Sequence, residues 1–155
     1  MCIRDRYLIV LLSAGTITNS PKILLNTIYN PLPMRKETDY AVMWISDGIF
    51  YLTFKPVPDL NLKIAKMIVA DRLLYQHEKV YPMIWDLRKI HHISDDAMAF
   101  FASEGTAMLK VLAIVVHTPY EHYLGEIFIQ FHHPQIPTKL CFTKHEALSF
   151  IVDDR

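Results

Sequence analysis

The sequence has few cysteines and no excess of charge of either sign. Its 155 residues include only Cys2 and Cys141. This number excludes a disulfide framework and a CxxC metal knuckle, and it is typical of a reducing, cytoplasmic compartment. Lys plus Arg and Asp plus Glu number 16 each, so there is no basic surplus to bind a phosphate backbone. We therefore expect a cytoplasmic protein without a nucleic-acid partner.

Long apolar runs and complete catalytic motifs are also missing. The run Tyr7–Leu12 is far shorter than the roughly 20 apolar residues that a bilayer-spanning helix needs. The eight histidines include the pairs His91-His92 and His132-His133, but adjacent side chains point in different directions. No HxH or HExxH spacing accompanies them. We expect no metal site, no cofactor and no stable membrane insertion.

The composition that remains is that of one folded domain, with 52% apolar and 21% charged residues. Residues 34–155 are predicted to form it. Residues 1–33 are predicted to be a spurious or disordered N-terminal extension. They show no clear periodicity after Asn19, and the opening MCIRDR resembles a translated sequencing adapter. A short signal peptide is the alternative interpretation of this extension.

Two β-rich runs, Tyr40–Ser46 and Ile49–Lys55, flank the dipeptide Asp47-Gly48. Asp-Gly between such runs is a specific signal for a type I′ hairpin turn. Three later apolar runs also read as strands, and the β-branched run in the middle suits a strand covered on both faces. These three predicted strands are Tyr81–Leu87, Val111–Val116 and Thr138–Phe142.

Four helices are predicted from apolar spacing and from N-cap residues. The N-caps are expected at Asp59 or Asn61, then at Ser94, Thr118 and Thr143, the last two within capping boxes. The order is therefore ββαβαβαβα. It predicts an α/β domain with a mixed five-stranded sheet, in which the first hairpin is antiparallel and the remaining strands are parallel.

The stretch Ile84–Leu87, followed by Ile93–Ala97, resembles the central motif of the STAS superfamily, in which a strand ending in Asp-Leu leads into a helix start. Further motifs resemble small single-domain SpoIIAA-like bacterial proteins, described as STAS/Sec14-like and of unknown function. They are Asp47-Gly48, Ala65-Lys66 with Arg72-Leu73, Tyr81-Pro82 with Asp86, Ala102–Gly105, and Pro137-Thr138 with Phe142. The resemblance covers about residues 40–151 and implies a SpoIIAA-like, STAS-like fold.

The same resemblance implies a non-enzymatic protein-interaction or regulatory module with a protein partner. In anti-sigma-factor antagonists a partner kinase phosphorylates the first serine of the motif. That position falls on Asp95 here, with Ser94 before it, so we expect the usual serine phospho-switch to be absent. The expected interaction residues, in the motif loop and at the helix start, are Asp86, Arg88, His91, His92, Ser94, Asp95 and Asp96.

Two alternatives stay open. The first is a small apolar ligand or lipid, as the Sec14-like description implies, bound under the helix 119–133; its ligand face would comprise Tyr123, Leu124, Ile127, Phe128 and Phe131. The second is an enzyme that uses His91, His92 and His117 at the sheet rim, although no nucleophile accompanies them.

Several single residues have two interpretations. Phe128 and Phe131 are expected in the core rather than at a ligand, and Trp44 and Trp85 on strands are expected there too. Asp86 either binds a partner or accepts N–H groups from its own loop. Arg72 either pairs with an acid, such as Glu78 or Asp86, or extends to solvent.

Overall fold

Residues 33–154, the part of the chain that the computed structural model describes, form six strands and four helices. Three strands come first, and helices and strands then alternate. Apart from Pro33, the extension predicted over residues 1–33 lies outside the described residues. The strands are β1 Lys36–Glu37, β2 Ala41–Ser46, β3 Ile49–Phe54, β4 Tyr81–Asp86, β5 Leu109–Val115 and β6 Thr138–Cys141. The helices are α1 Leu62–Gln76, α2 Asp95–Ala102, α3 Pro119–His132 and α4 Lys144–Asp153, with a short 3₁₀ turn at Glu104–Thr106.

The strands form one sheet in the order β1-β2-β3-β4-β5-β6. The neighbours from β1 to β3 are antiparallel, and those from β3 to β6 are parallel and joined through α1, α2 and α3. The predicted mixed sheet is therefore confirmed. The predicted number of five strands is wrong by one, because β1 is an additional strand. With two residues, β1 is too short to show an alternating pattern in the sequence.

The hairpin turn between β2 and β3 is of the predicted kind. Asp47 and Gly48 have φ angles of 52° and 74°. Positive φ at both central residues is what a type I′ turn requires. The turn sets a register in which Ser46 pairs with Ile49 and Trp44 pairs with Tyr51.

The two faces of the sheet are covered by different helices. Helices α1, α2 and α3 pack on one face, where Phe50, Met83 and Trp85 belong to the main core. On the other face, Ala147 and Ile151 of α4 pack in a second, smaller core. Because α4 contacts mainly β5 and β6, it leaves a cleft in front of β3 and the end of β4.

Each helix begins at a predicted N-cap, and the difference from the prediction is the capping box of α4. Asn61, rather than Asp59, caps α1, and its Oδ1 accepts the N–H of Ile64 at 3.1 Å. Thr118 and Glu121 form the complete capping box of α3. At α4 the box is incomplete: Thr143 caps the helix, but the Glu146 carboxylate accepts the N–H of Phe142 instead of that of Thr143.

The position of the Arg72 side chain contradicts both interpretations of this residue that were based on the sequence. It is 2% exposed, on the inner side of α1. Its Nη2 donates to the Gly105 carbonyl at 3.1 Å, and its Nη1 donates to the Gln76 side chain. Arg72 therefore neither extends to solvent nor pairs with Glu78 or Asp86, because backbone and amide oxygens satisfy it inside the domain.

Candidate functional site

The carboxyl ends of β3, β4 and β5 carry the residues around which the candidate site is built. Thr53, Asp86 and Val115 lie side by side in the register of these parallel strands. In open α/β sheets, ligands bind at this edge. The edge therefore brings residues that are far apart in the sequence to one place.

Asp86 fixes the position of Arg88 at this edge. Its carboxylate accepts the backbone N–H of Arg88 at 3.0 Å and the guanidinium Nε at 2.9 and 3.0 Å. These hydrogen bonds and the charge of Asp86 hold the pKa of Arg88 above its ordinary value. Asp86 thus accepts N–H groups from its own loop, as one of its two interpretations predicted, and it fixes a cation whose side chain is 57% exposed.

The three rim histidines have different partners. His117 Nε2 lies 3.8 Å from Asp86 Oδ1, so His117 joins the cluster of Asp86 and Arg88. The backbone N–H of His117 donates to the buried Glu121 carboxylate at 2.6 Å. His92 Nδ1 lies 2.8 Å from Asp59 Oδ1, and the His91 carbonyl accepts the hydroxyl of Tyr120 at 2.8 Å. Of these three histidines, His117 is therefore the one whose side chain lies next to Asp86.

The start of α2 holds the other predicted interaction residues. Ser94 is the predicted N-cap, and its Oγ accepts the N–H of Ala97 at 3.4 Å while Asp96 Oδ1 accepts the same N–H at 2.9 Å. The Ser94 hydroxyl also donates to the Asp96 carboxylate. Asp95 next to them has a side chain that is 93% exposed. Ser94 is therefore engaged within the helix start, whereas Asp95 is available to a partner.

The predicted ligand face of α3 is divided by the structure. Leu124 and Phe128 are buried in the core and Ile127 is half-buried. Tyr123 and Phe131 are 58% and 74% exposed, so the prediction that Phe131 belongs to the core is wrong. Phe131 lies in the last turn of α3, where the helical spacing continues beyond the part of the helix that the core covers.

The space under α3 is small. The cavity between α3 and the sheet, lined by Trp85, Phe101 and Phe128 among others, has a volume of about 20 Å³. A cavity needs roughly 10–15 Å³ of such space to hold one water molecule, so this one has room for about one. This interior therefore holds no acyl chain in the observed structure, and nothing in its geometry favours the apolar-ligand alternative.

The exposed side of α3 continues into the motif loop. The Tyr120 hydroxyl contacts the His91 carbonyl at one end of α3, and at the other end His132 Nε2 lies 3.2 Å from Asp95 Oδ1. Tyr123 and Phe131 follow Tyr120 at helical spacing, on the same side. We call the exposed residues of this region the loop–helix surface: His91, Asp95, Asp96, Tyr120, Tyr123 and Phe131.

A cleft on the α4 side of the sheet contains residues that the sequence analysis did not assign to a site. Asp86, Arg88 and His117 line it together with Trp44, Tyr51 and Lys144, among others. Trp44 is half-buried at this cleft and packs against the edge of the second core, whereas Trp85 is buried in the main core as predicted. The contact between Trp44 and Tyr51 could have been predicted from the Asp47-Gly48 turn, because a two-residue loop places these two residues opposite each other.

Residues 33–154 contain no group of three or more His, Cys, Asp or Glu side chains placed to hold a metal ion. No helix in the same range is long and apolar enough to cross a bilayer.

Comparison with known proteins identifies the fold and the family. No curated protein matches the chain. A crystal structure of an uncharacterized protein of the DUF3478 family from Shewanella loihica PV-4, with a SpoIIAA-like fold, superposes with a TM-score of 0.52. The match has 15% sequence identity and covers 75% of this chain and 98% of that one, so it confirms the SpoIIAA-like fold alone. A family model, DUF7793, matches residues 43–153. The chain therefore belongs to the family described as Domain of unknown function (DUF7793).

Proposed function

We propose that the protein is a non-enzymatic protein-interaction or regulatory module that binds a partner protein through the loop–helix surface. The observation that carries this proposal is the exposure of Tyr120, Tyr123 and Phe131 along one side of α3, next to the motif loop. Aromatic side chains are enriched at protein interfaces, and contiguous exposed apolar groups mark surfaces that bind partners. The SpoIIAA-like fold is compatible with such a role, but a shared fold alone does not assign it.

The charges beside these aromatic residues indicate what kind of partner fits. Asp95 and Asp96 lie in the first turn of α2, and both side chains are exposed. A partner with an apolar patch opposite Tyr123 and Phe131 and a basic side chain opposite Asp95 and Asp96 would be complementary. Such charge complementarity raises the rate of association and excludes partners with the wrong charge.

A non-enzymatic role is supported by the contacts of the rim histidines. In the described residues, His92 and His117 have the carboxylates of Asp59 and Asp86 as neighbours, and no Ser or Cys side chain is hydrogen-bonded to them. The Cys141 thiol is fully buried. A nucleophile within reach of a base, which covalent catalysis requires, is therefore missing from this group.

The proposal is tested by affinity capture from lysate with three forms of the protein. The wild type is compared with the double variant Tyr123→Ser and Phe131→Ser, and with Leu74→Ser on α1 as a matched control for loss of an exposed apolar side chain. A partner that the wild type and the Leu74 variant bind, but the double variant does not, is the expected result. A partner retained equally by all three forms would exclude the loop–helix surface as its binding site.

Mass spectrometry of small molecules in the same captured material tests the lipid alternative. If the protein is an interaction module, we expect no lipid to be recovered in an amount equal to that of the protein. A lipid recovered in equal amount with the protein, together with no captured protein, would contradict the proposal.

A further inference from the structure

The cleft on the α4 side is a second feature, separate from the loop–helix surface. It lies at the carboxyl ends of β3, β4 and β5, where Thr53, Asp86 and Val115 are in register. Helix α3 packs on the opposite face of the sheet through Leu124 and Phe128. A ligand in this cleft would therefore leave the loop–helix surface free.

One wall of the cleft is formed by two aromatic rings that stack on each other. The rings of Trp44 and Tyr51 are 5.0 Å apart between centroids and are inclined by 1° to each other. Ile84 and Val115 complete the apolar lining. A planar, largely apolar group can pack against the edges of these two rings, because aromatic pairs also favour edge-to-face contacts.

The rim of the cleft carries cations. The Lys144 ammonium lies 5.1 Å from the centroid of the Tyr51 ring, at the start of α4. The Arg88 guanidinium is held by Asp86, which accepts hydrogen bonds from Nε and Nη2, and no described residue accepts a hydrogen bond from its Nη1. A guanidinium with a free edge presents N–H donors in a geometry that suits a carboxylate.

The negative groups near the cleft are already engaged. Asp86 accepts the backbone N–H and the guanidinium of Arg88. Glu121, which is 8% exposed, accepts the N–H groups of His117 and Thr118 at 2.6 and 3.2 Å. The cationic groups that remain at the rim for a ligand are Arg88 and Lys144.

The size of the cleft limits the ligand. Its volume is about 200 Å³. Sites for drug-sized molecules usually have roughly 300–1,000 Å³. The cleft therefore suits a molecule with about one ring and one charged group, and it is too small for a nucleotide or a long acyl chain.

We propose that this cleft binds a small planar carboxylate, with its ring against the edges of Trp44 and Tyr51 and its carboxylate between Arg88 and Lys144. This binding function goes beyond the proposed protein interaction and does not depend on it. His117, whose Nε2 lies 3.8 Å from Asp86 Oδ1, closes the same rim.

The proposal is tested by a residue-resolved NMR titration of the full chain with sodium benzoate as the probe. We expect chemical-shift changes confined to the ends of β3, β4 and β5, to Arg88, His117 and Lys144, and to the indole N–H of Trp44. Benzamide has the same ring without the charge, and we expect it to bind about tenfold more weakly, because charge-assisted hydrogen bonds are the stronger ones. Inorganic phosphate has the charge without the ring, and we expect it to bind more weakly than benzoate.

A pair of charge-neutralising variants provides the control. Lys144→Gln removes a cation from the rim, and we expect it to weaken benzoate binding about tenfold. Lys63→Gln removes an exposed cation from α1, on the other face of the sheet, and we expect no change. Both residues are exposed, and an unchanged thermal unfolding curve confirms that each variant is folded.

Four results would overturn the proposal. They are the absence of benzoate binding, shift changes located outside the cleft, benzamide or phosphate binding as tightly as benzoate, and a Lys144→Gln variant with unchanged affinity. Because none of these measurements involves Tyr123 or Phe131, their failure would leave the proposed interaction function untouched, and the reverse also holds.

Discussion

Arg72 Nη2 donates a hydrogen bond to the carbonyl oxygen of Gly105, 3.1 Å away and 33 residues later in the chain. Gln76, one turn after Arg72, receives its Nη1 and donates to the carbonyls of Lys79 and Met108 at 3.0 Å. Burial lowers the pKa of Arg72 to about 10, so the side chain is still charged at neutral pH. This buried network joins α1 to the segment that leads into β5.

Removing both members of this network should cost less than the sum of removing each one alone. Arg72→Met leaves the Gly105 carbonyl and the Gln76 side chain without their donor, and we expect a loss of ~1–3 kcal/mol in the free energy of unfolding. The double variant with Gln76→Met should lose less than the sum of the two single variants, because partners removed together leave fewer unsatisfied groups. Urea denaturation of the four forms measures this coupling.

Lys63→Met is the matched control, because it replaces an exposed cation on the same helix. We expect it to change stability by less than ~0.5 kcal/mol. Additive effects of Arg72→Met and Gln76→Met would contradict the prediction that the two residues act as one network.

Gly48 is predicted to set the hairpin turn through its backbone alone. A Cβ atom built at Gly48 meets no atom within 4 Å, but φ is 74°. Gly48→Val should therefore destabilise the protein by ~1–3 kcal/mol through backbone strain. Gly48→Asn is the control, since Asn tolerates positive φ better than a β-branched residue, and it should lose markedly less. Equal denaturation midpoints for both variants would show that the turn is not under this constraint.

Asp95 is expected to act at the interface and contribute little to folding. As an exposed acid in the first turn of α2 it should contribute only ~0.3–1 kcal/mol to stability, which Asp95→Asn measures. Asp95→Ser introduces the residue that the STAS motif carries at this position. The affinity of a captured partner for the protein should therefore change. A partner indifferent to both variants would remove this helix start from the interface.

Ser94 is expected to remain unphosphorylated. Its hydroxyl is bonded to the Asp96 carboxylate and caps α2, so a phosphate there would face a negative neighbour. Mass spectrometry of protein purified from cells tests this point, and a phosphate on Ser94 would contradict the absence of the switch.

Cys141 is predicted to be chemically inert in the folded protein. Burial raises the pKa of its thiol from 9.0 to about 11, and the side chain is fully buried. Because the thiolate is the reactive form, iodoacetamide at pH 8 should modify Cys141 only as fast as the protein unfolds. Peptide mapping by mass spectrometry measures this rate, with the protein in denaturant as the positive control. Modification of the native protein at the rate of a free thiol would exclude this environment.

The raised pKa of Cys141 also gives a sign for the pH dependence of stability. Between about pH 9 and 11 the unfolded chain loses the thiol proton while the folded chain retains it. Stability should therefore fall as the pH rises through this range, and the fall should be smaller in Cys141→Ala. Equal slopes for the two proteins between pH 9 and 11 would contradict the prediction.

The local features of the fold could be predicted because neighbouring residues determine them. The Asp47-Gly48 turn depends on the φ angles of two residues, and the N-caps Ser94 and Thr118 on hydrogen bonds to N–H groups three residues away. Most strand and helix positions could also be predicted from local sequence patterns. The order of these elements then predicted the mixed sheet. Only β1 was missed, because a strand of two residues forms by pairing with β2 and has no pattern of its own.

The candidate site could be predicted in part. The loop and helix start between Asp86 and Asp96 stood out in the sequence, but the structure places Asp86 and Arg88 at the cleft and Asp95 on the loop–helix surface. Successive residues of this stretch therefore serve two faces of the sheet. A linear motif does not contain this division, since it depends on which helix covers which face.

The sequence by itself determined the order of strands and helices, the turn and the caps, because these depend on contacts within a few residues. Only the tertiary structure decided that Arg72 is buried, that Phe131 is exposed and that Lys144 lies over Tyr51. Helical spacing shows which side chains share a face, but burial depends on what covers that face. The covering element here lies tens of residues away, so packing of the whole domain decided these environments.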